Sequence, residues 1–101
     1  MVPVLRYETW SDGAAAMNEH YLKTWPEYFD AVIDGRKPFE FRKNDRGFEV
    51  GDILILQEWD PLFRNYTGKS CVRRVTYLLR NLFMWDSEEY VVMGISEVIS
   101  E

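Results

Sequence analysis

Gly35-Arg36-Lys37-Pro38-Phe39-Glu40-Phe41-Arg42-Lys43 is the stretch from which the fold is read. Residues 37–43 alternate. Lys37, Phe39, Phe41 and Lys43 share one side of an extended chain; Pro38, Glu40 and Arg42 share the other. A two-residue period spells a strand. If Phe39 and Phe41 enter the core, Glu40 and Arg42 stand together on the opposite face. Strict alternation leaves Lys37 across from both, so a site shared by all three needs a bend near Pro38.

The flanks complete the pattern. Residues 19–23 are short and strand-like. Thr24-Trp25-Pro26-Glu27 starts a helix: Thr24 can cap, Pro26 suits an early helical position and Glu27 can close a capping box. Phe29, Val32 and Ile33 fall on one helical face, and Gly35 suits the left-handed residue after the last turn, which predicts a helix over about 25–34. Asn44-Asp45-Arg46-Gly47 is a turn. Val50-Gly51-Asp52 leads into a near-continuous apolar strand, Ile53–Glu58, which Asp60-Pro61 breaks. Residues 60–69 read as a loop with Thr67-Gly68 as its turn, and Ser70–Leu79 as a long strand. There Cys71, Arg73, Val75 and Tyr77 lie on one side, and Val72, Arg74, Thr76 and Leu78 on the other. Residues 80–88 connect to a last strand, Tyr90–Val98, where Gly94 suggests a bulge. The class is α+β, mainly β: five or six strands, bent into a small sheet or closed barrel, with one short helix after the first core strand.

Residues 1–16 read as a peripheral extension with a short edge strand and a Ser11–Ala16 connector; residues 17–101 form the single domain, and Met17 is a candidate alternative start. A chain of 101 residues, 47% apolar and 16% aromatic, can bury one modest core and is too apolar for a disordered chain. Its longest apolar run, Ile53–Leu56, is far too short to span a membrane, and no secretory signal is evident. One cysteine and one histidine leave little material for a zinc site, so no metal or cofactor is expected, and a cytoplasmic setting is.

The net charge of -5 hides four blocks: -4 over residues 1–34, +3 over 35–46, +1 over 47–85 and -5 over 86–101. An acidic chain opposes nonspecific coating of nucleic acid but permits a local anion site, and the block at 35–46 is where one would lie. The competing reading of that block is a solvated, salt-bridged strand. The acidic end (Asp86, Glu88, Glu89, Glu97, Glu101) is read as solvated surface.

Gly35-Arg36-Lys37-Pro38-Phe39-Glu40-Phe41-Arg42 fits Gly-x-Lys-x-x-Glu-x-Arg. With His20, Leu22, Lys23, Pro26–Phe29, Arg42–Arg46 and Tyr66-Thr67-Gly68, the chain resembles the ASCH (activating-signal-cointegrator homology) domain of the PUA-like superfamily, and within it a small phage and bacterial ASCH-like subgroup of unknown function. The resemblance covers about residues 19–96. It implies a PUA-like pseudobarrel with a cleft beside the helix, and RNA or modified-nucleotide binding. One branch of the family hydrolyses acylated cytidines with a Lys and a Thr three residues later; Lys37 matches the Lys, but Glu40 stands at the Thr position and removes that nucleophile.

The expected cleft is lined by His20, Lys23, Lys37, Glu40 and Arg42. Lys37, Glu40 and Arg42 either recognise a phosphate and a base or form a salt network that orders the barrel. Lys43 and Arg46 would grip backbone phosphates. Arg64, Tyr66 and Lys69, with Phe63, would hold flanking bases, or the aromatics simply pack their loop. His20 either lines the cleft or is a structural hydrogen-bonding residue. Cys71 reads as a small buried side chain. Two alternatives remain open. One is a hydrolase on modified nucleosides or RNA, with Lys37, Glu40 and His20 as acid–base groups. The other is a phage-type interaction module that uses its acidic surface to bind a protein.

Overall fold

Six strands and one helix follow in the order β1 (Arg6–Thr9), β2 (Glu19–Thr24), α1 (Pro26–Ile33), β3 (Phe39–Lys43), β4 (Ile53–Asp60), β5 (Asn65–Arg80) and β6 (Tyr90–Glu97). They come from a computed structural model that describes residues 6–9, 18–80 and 90–98. The Ser11–Ala16 connector, the 81–88 connection and most of the acidic end lie outside the described residues. The strands form one mixed sheet, β2-β4-β5-β6-β3, in which β2 and β4 are parallel and the other neighbours antiparallel. Within the expected extension, β1 joins the sheet and pairs antiparallel with Tyr77–Arg80 of β5.

The two ends of this sheet meet. No ladder joins β2 to β3 among the described residues. Instead the Arg42 guanidinium on β3 donates from Nη2 to the Lys23 carbonyl at 3.0 Å and to Thr24 Oγ1 at 3.1 Å, both on β2. The sheet is therefore curled into a barrel-like shape whose seam is held by side chains. Leu22, Leu54, Leu56, Val75, Leu78, Val91 and Met93 fill its interior, and Phe29 and Val32 of α1 join the same core. Among the described residues, no helix is long and apolar enough to cross a membrane.

Four expectations need correcting. Phe39 and Phe41 do not enter the core; they are 42% and 51% exposed, while Glu40 is 2% exposed. The register on β6 decides this. Glu40 and Arg42 lie opposite Met93 and Val91, whose side chains face the interior, so they share that face. Phe41 instead stacks on Tyr90 outside, with ring centroids 5.6 Å apart. Second, Thr24 does not cap the helix. Trp25 is the N-cap residue and makes no side-chain cap bond, while the Thr24 hydroxyl donates to the Leu22 carbonyl and accepts from Arg42.

Third, Thr67-Gly68 is not the turn. The β4–β5 hairpin turns at residues 61–64, and β5 runs unbroken from Asn65. Asp60 Oδ1 accepts from the N–H groups of Leu62 and Phe63, which closes the turn, and Arg64 takes the left-handed backbone at φ 54°. Fourth, β5 does not keep one alternation. An irregularity between Val75 and Tyr77 places Leu78, not Tyr77, in the core.

Gly94 sits opposite that irregularity, and its role is steric. A Cβ there would lie 3.0 Å from Tyr77 Cβ, an atom fixed to the main chain. Gly94→Ala is expected to lower stability by about 1–3 kcal/mol through overpacking. The urea midpoint should fall with the slope unchanged; an unshifted midpoint would show that β5 and β6 can move apart freely.

Candidate cationic cleft at the barrel seam

The seam opens into a cleft of about 550 Å³ between β2, α1, β3 and the segment that follows β3. Lys37, Glu40, Arg42, Lys43, Asp45 and Arg46 supply its charged lining, and Leu22, Tyr28, Phe41 and Phe48 its apolar walls. Four bases face two acids there, in a chain whose net charge is -5. Low-dielectric walls sharpen such a local excess of positive charge.

Glu40 is the centre of the arrangement. Its Oε1 accepts from Lys37 Nζ at 2.7 Å and its Oε2 from Arg42 Nε at 2.8 Å. The carboxylate is 3% exposed, with the lysine and arginine side chains at 18% and 24%. A buried carboxylate is costly unless both oxygens are bound, and here both are. Lys37 reaches it because it precedes the strand. The Lys37 N–H donates to the Ala31 carbonyl at the end of α1, so the chain turns before β3 begins and the strict alternation does not apply. The bend expected near Pro38 is thus what joins Lys37 to Glu40. Lys37 Nζ also lies 5.4 Å from the centroid of the Tyr28 ring.

Of the residues expected in the cleft, Lys37, Glu40, Arg42, Lys43 and Arg46 line it. His20 and Lys23 do not. His20 points into the core end of β2, where its Nε2 lies 2.8 Å from Asp52 Oδ2 and its ring packs edge-on against Phe48 at 4.8 Å. Asp52 is fully buried and also accepts from the main-chain N–H groups of Asn18 and Glu49. Asp52 thereby ties His20, Asn18 and Glu49 together at one buried point. His20 is then a support beneath Phe48, and Phe48 is a wall of the cleft. Lys23 fails for a simpler reason: alternation along β2 turns Leu22 and Thr24 inward and Lys23 outward. Its Nζ stands 3.8 Å above the Trp59 ring.

Arg64, Tyr66 and Lys69 lie on the β4–β5 hairpin, outside the cleft lining, and all are exposed. Cys71 is buried. Burial pushes its thiol up, the nearby Glu40 charge adds to this and Arg73 opposes it, so the group stays protonated at neutral pH. Two polar residues that the sequence reading did not place in the site are also buried. Thr24 is 2% exposed and receives Arg42; Glu58 is 5% exposed and accepts from the Thr67 hydroxyl at 2.8 Å. The alternation Leu54, Leu56, Glu58 was the available signal for the second. Among the described residues, no group of His, Cys, Asp or Glu side chains could hold a metal ion.

Arg42→Lys tests the seam. A single ammonium cannot bind Glu40, the Lys23 carbonyl and Thr24 together as the guanidinium does. The expected loss is about 1–3 kcal/mol of stability, with amide exchange in β2 and β3 quickening before that in β5. Equal quickening in every strand would show that the seam is not a separate element.

The family model described as a domain of unknown function, DUF3850, matches residues 19–95. It begins at the first residue of β2, ends within β6 and includes every residue that lines the cleft. An uncharacterized 12.9 kDa protein in the GpA 3′ region of Escherichia phage P2 is 42% identical over 74 residues. That match covers 73% of this chain and 64% of the phage protein, so the chain spans less than two thirds of that relative's length. Strands β2 to β5, most of β6, the helix and the seam cleft fall inside the matched region, and the chain belongs to the DUF3850 family.

Proposed function

We propose that this chain is an ASCH-like domain of the PUA-like kind, and that it binds RNA or a nucleotide in the seam cleft. The observation that carries this is the cleft itself. It places Lys37, Arg42, Lys43 and Arg46 against the aromatic rings of Tyr28, Phe41 and Phe48. Cations suit a phosphate, and aromatic faces suit a base. The Gly-x-Lys-x-x-Glu-x-Arg resemblance agrees with this reading, since its three side chains converge there. An intracellular, cytoplasmic role in a phage or bacterial setting belongs to the same reading.

Holding a ligand is favoured over hydrolysing one. A general base needs a carboxylate free to take a proton. Both oxygens of Glu40 are already engaged by cations. The Thr24 hydroxyl donates to a main-chain carbonyl, which leaves its proton in use. His20 is bound to Asp52 behind Phe48.

The test is binding against salt. Short single-stranded RNA and nucleoside monophosphates should bind at low salt, with a log–log slope of roughly -0.7 for each phosphate contact on a single strand. Arg46 is exposed at the rim of the cleft. Arg46→Ala should reduce the slope by about one such contact and leave the melting temperature unchanged. Absence of binding at low salt and high protein concentration would overturn the proposal.

A further inference from the structure

Strand β2 has two sides, and Lys23 takes part in both. Its carbonyl accepts Arg42 at the cleft border, while its side chain crosses to the outer face and caps the Trp59 ring. Trp59 meets Tyr66 edge-on, with centroids 4.9 Å apart and planes at 77°. Tyr66 is 46% exposed, and beyond it the turn presents Phe63 at 77%. The exposed bases Arg64 and Lys69 stand on either side of Tyr66 along the chain. The acid at the turn, Asp60, is occupied by the main-chain bonds that close it, and Glu58 faces inward. The surface is therefore aromatic and cationic together, and it is continuous with the cleft across one residue.

We infer that the outer face built by Lys23, Trp59 and Tyr66 is a second subsite, and that it stacks bases of a single-stranded nucleic acid whose neighbouring nucleotide occupies the cleft. This rests on the cleft being a nucleotide site. An unpaired base stacks on the exposed Tyr66 ring, which Trp59 backs edge-on, and its phosphate meets Lys23, Arg64 or Lys69. A duplex keeps its bases stacked on one another and offers no such faces to this platform. A purely acidic peptide would use only the cations and a purely apolar one only the rings, whereas every nucleotide carries a phosphate and a flat base and uses both. The ligand class is thus narrowed from any nucleotide to a single strand of several residues.

Affinity measured on two ligands separates the subsites. One ligand is a nucleoside 5′-monophosphate; the other is a mixed-sequence single-stranded RNA of about eight nucleotides. The wild-type chain should bind the oligonucleotide much more tightly than the mononucleotide. Tyr66→Ala and Lys23→Ala should each weaken the oligonucleotide by about 5- to 100-fold, the range of one lost stack. Mononucleotide affinity should be unchanged, and Tyr66→Phe, which keeps the ring, should restore oligonucleotide binding. If the oligonucleotide binds no better than the mononucleotide, or Tyr66→Ala leaves it unaffected, the platform is refuted while the cleft stands. If Tyr66→Ala alters self-association and not RNA affinity, the face is a protein contact and the inference fails. If neither ligand binds, cleft and platform fall together.

Discussion

A carboxylate with no water around it needs a hydrogen-bond donor on each oxygen, and Glu40 takes charged ones, Lys37 on one side and Arg42 on the other. The rest of the seam follows from this. Arg42 is turned inward to meet Glu40, and its remaining amino group then lies where it can hold the Lys23 carbonyl and Thr24. A sheet end that would otherwise present unpaired main chain is thereby tied to the opposite end. The same clamp brings Lys37 from the end of α1 to the mouth of the barrel. An ion pair of this kind contributes less to net stability than its short distances suggest, because desolvation opposes it. Its contribution is geometric: it sets where the two edges meet and leaves cations at the rim.

The second buried acid acts differently. Asp52 is held by the main-chain N–H groups of Asn18 and Glu49 and by His20. It fastens the start of β2 to the turn ahead of β4, where the Val75 N–H donates to the Asp52 carbonyl and the Val75 carbonyl accepts from the Gly51 N–H. With His20 held, Phe48 packs against an immobile ring and forms a firm wall. One acid thus orders the floor of the cleft and the other its mouth, and neither is left free for proton transfer.

The positive cleft exists within an acidic molecule. Distance explains how: the basic residues between Arg36 and Arg46 are gathered by β3 and the segment beyond it onto one edge of the sheet. Arg36 is paired with Asp34 on the surface, where such a pair contributes little to stability, and Arg42 is committed to the seam. Arg46 stays at the rim, exposed, and Lys43 beside it.

The local elements were legible in the residues themselves. Alternation identified β3 and most of β5, a near-continuous apolar run identified β4, short strand-like stretches between turns gave β2 and β6, and the spacing of Phe29 and Val32 with Gly35 bounded the helix, because period and turn chemistry are properties of neighbouring residues. Direction was not legible. Phe39 and Phe41 are more apolar than Glu40 and Arg42, yet they face solvent, since pairing of Glu40 and Arg42 with Met93 and Val91, 53 and 49 positions on, decides which side of β3 turns inward. The fate of His20 was hidden for the same reason: its partner Asp52 lies 32 positions away. Which basic residues exist was settled by the chain; which of them share a cleft was settled by the closing of the sheet, a contact between strands that no local pattern encodes.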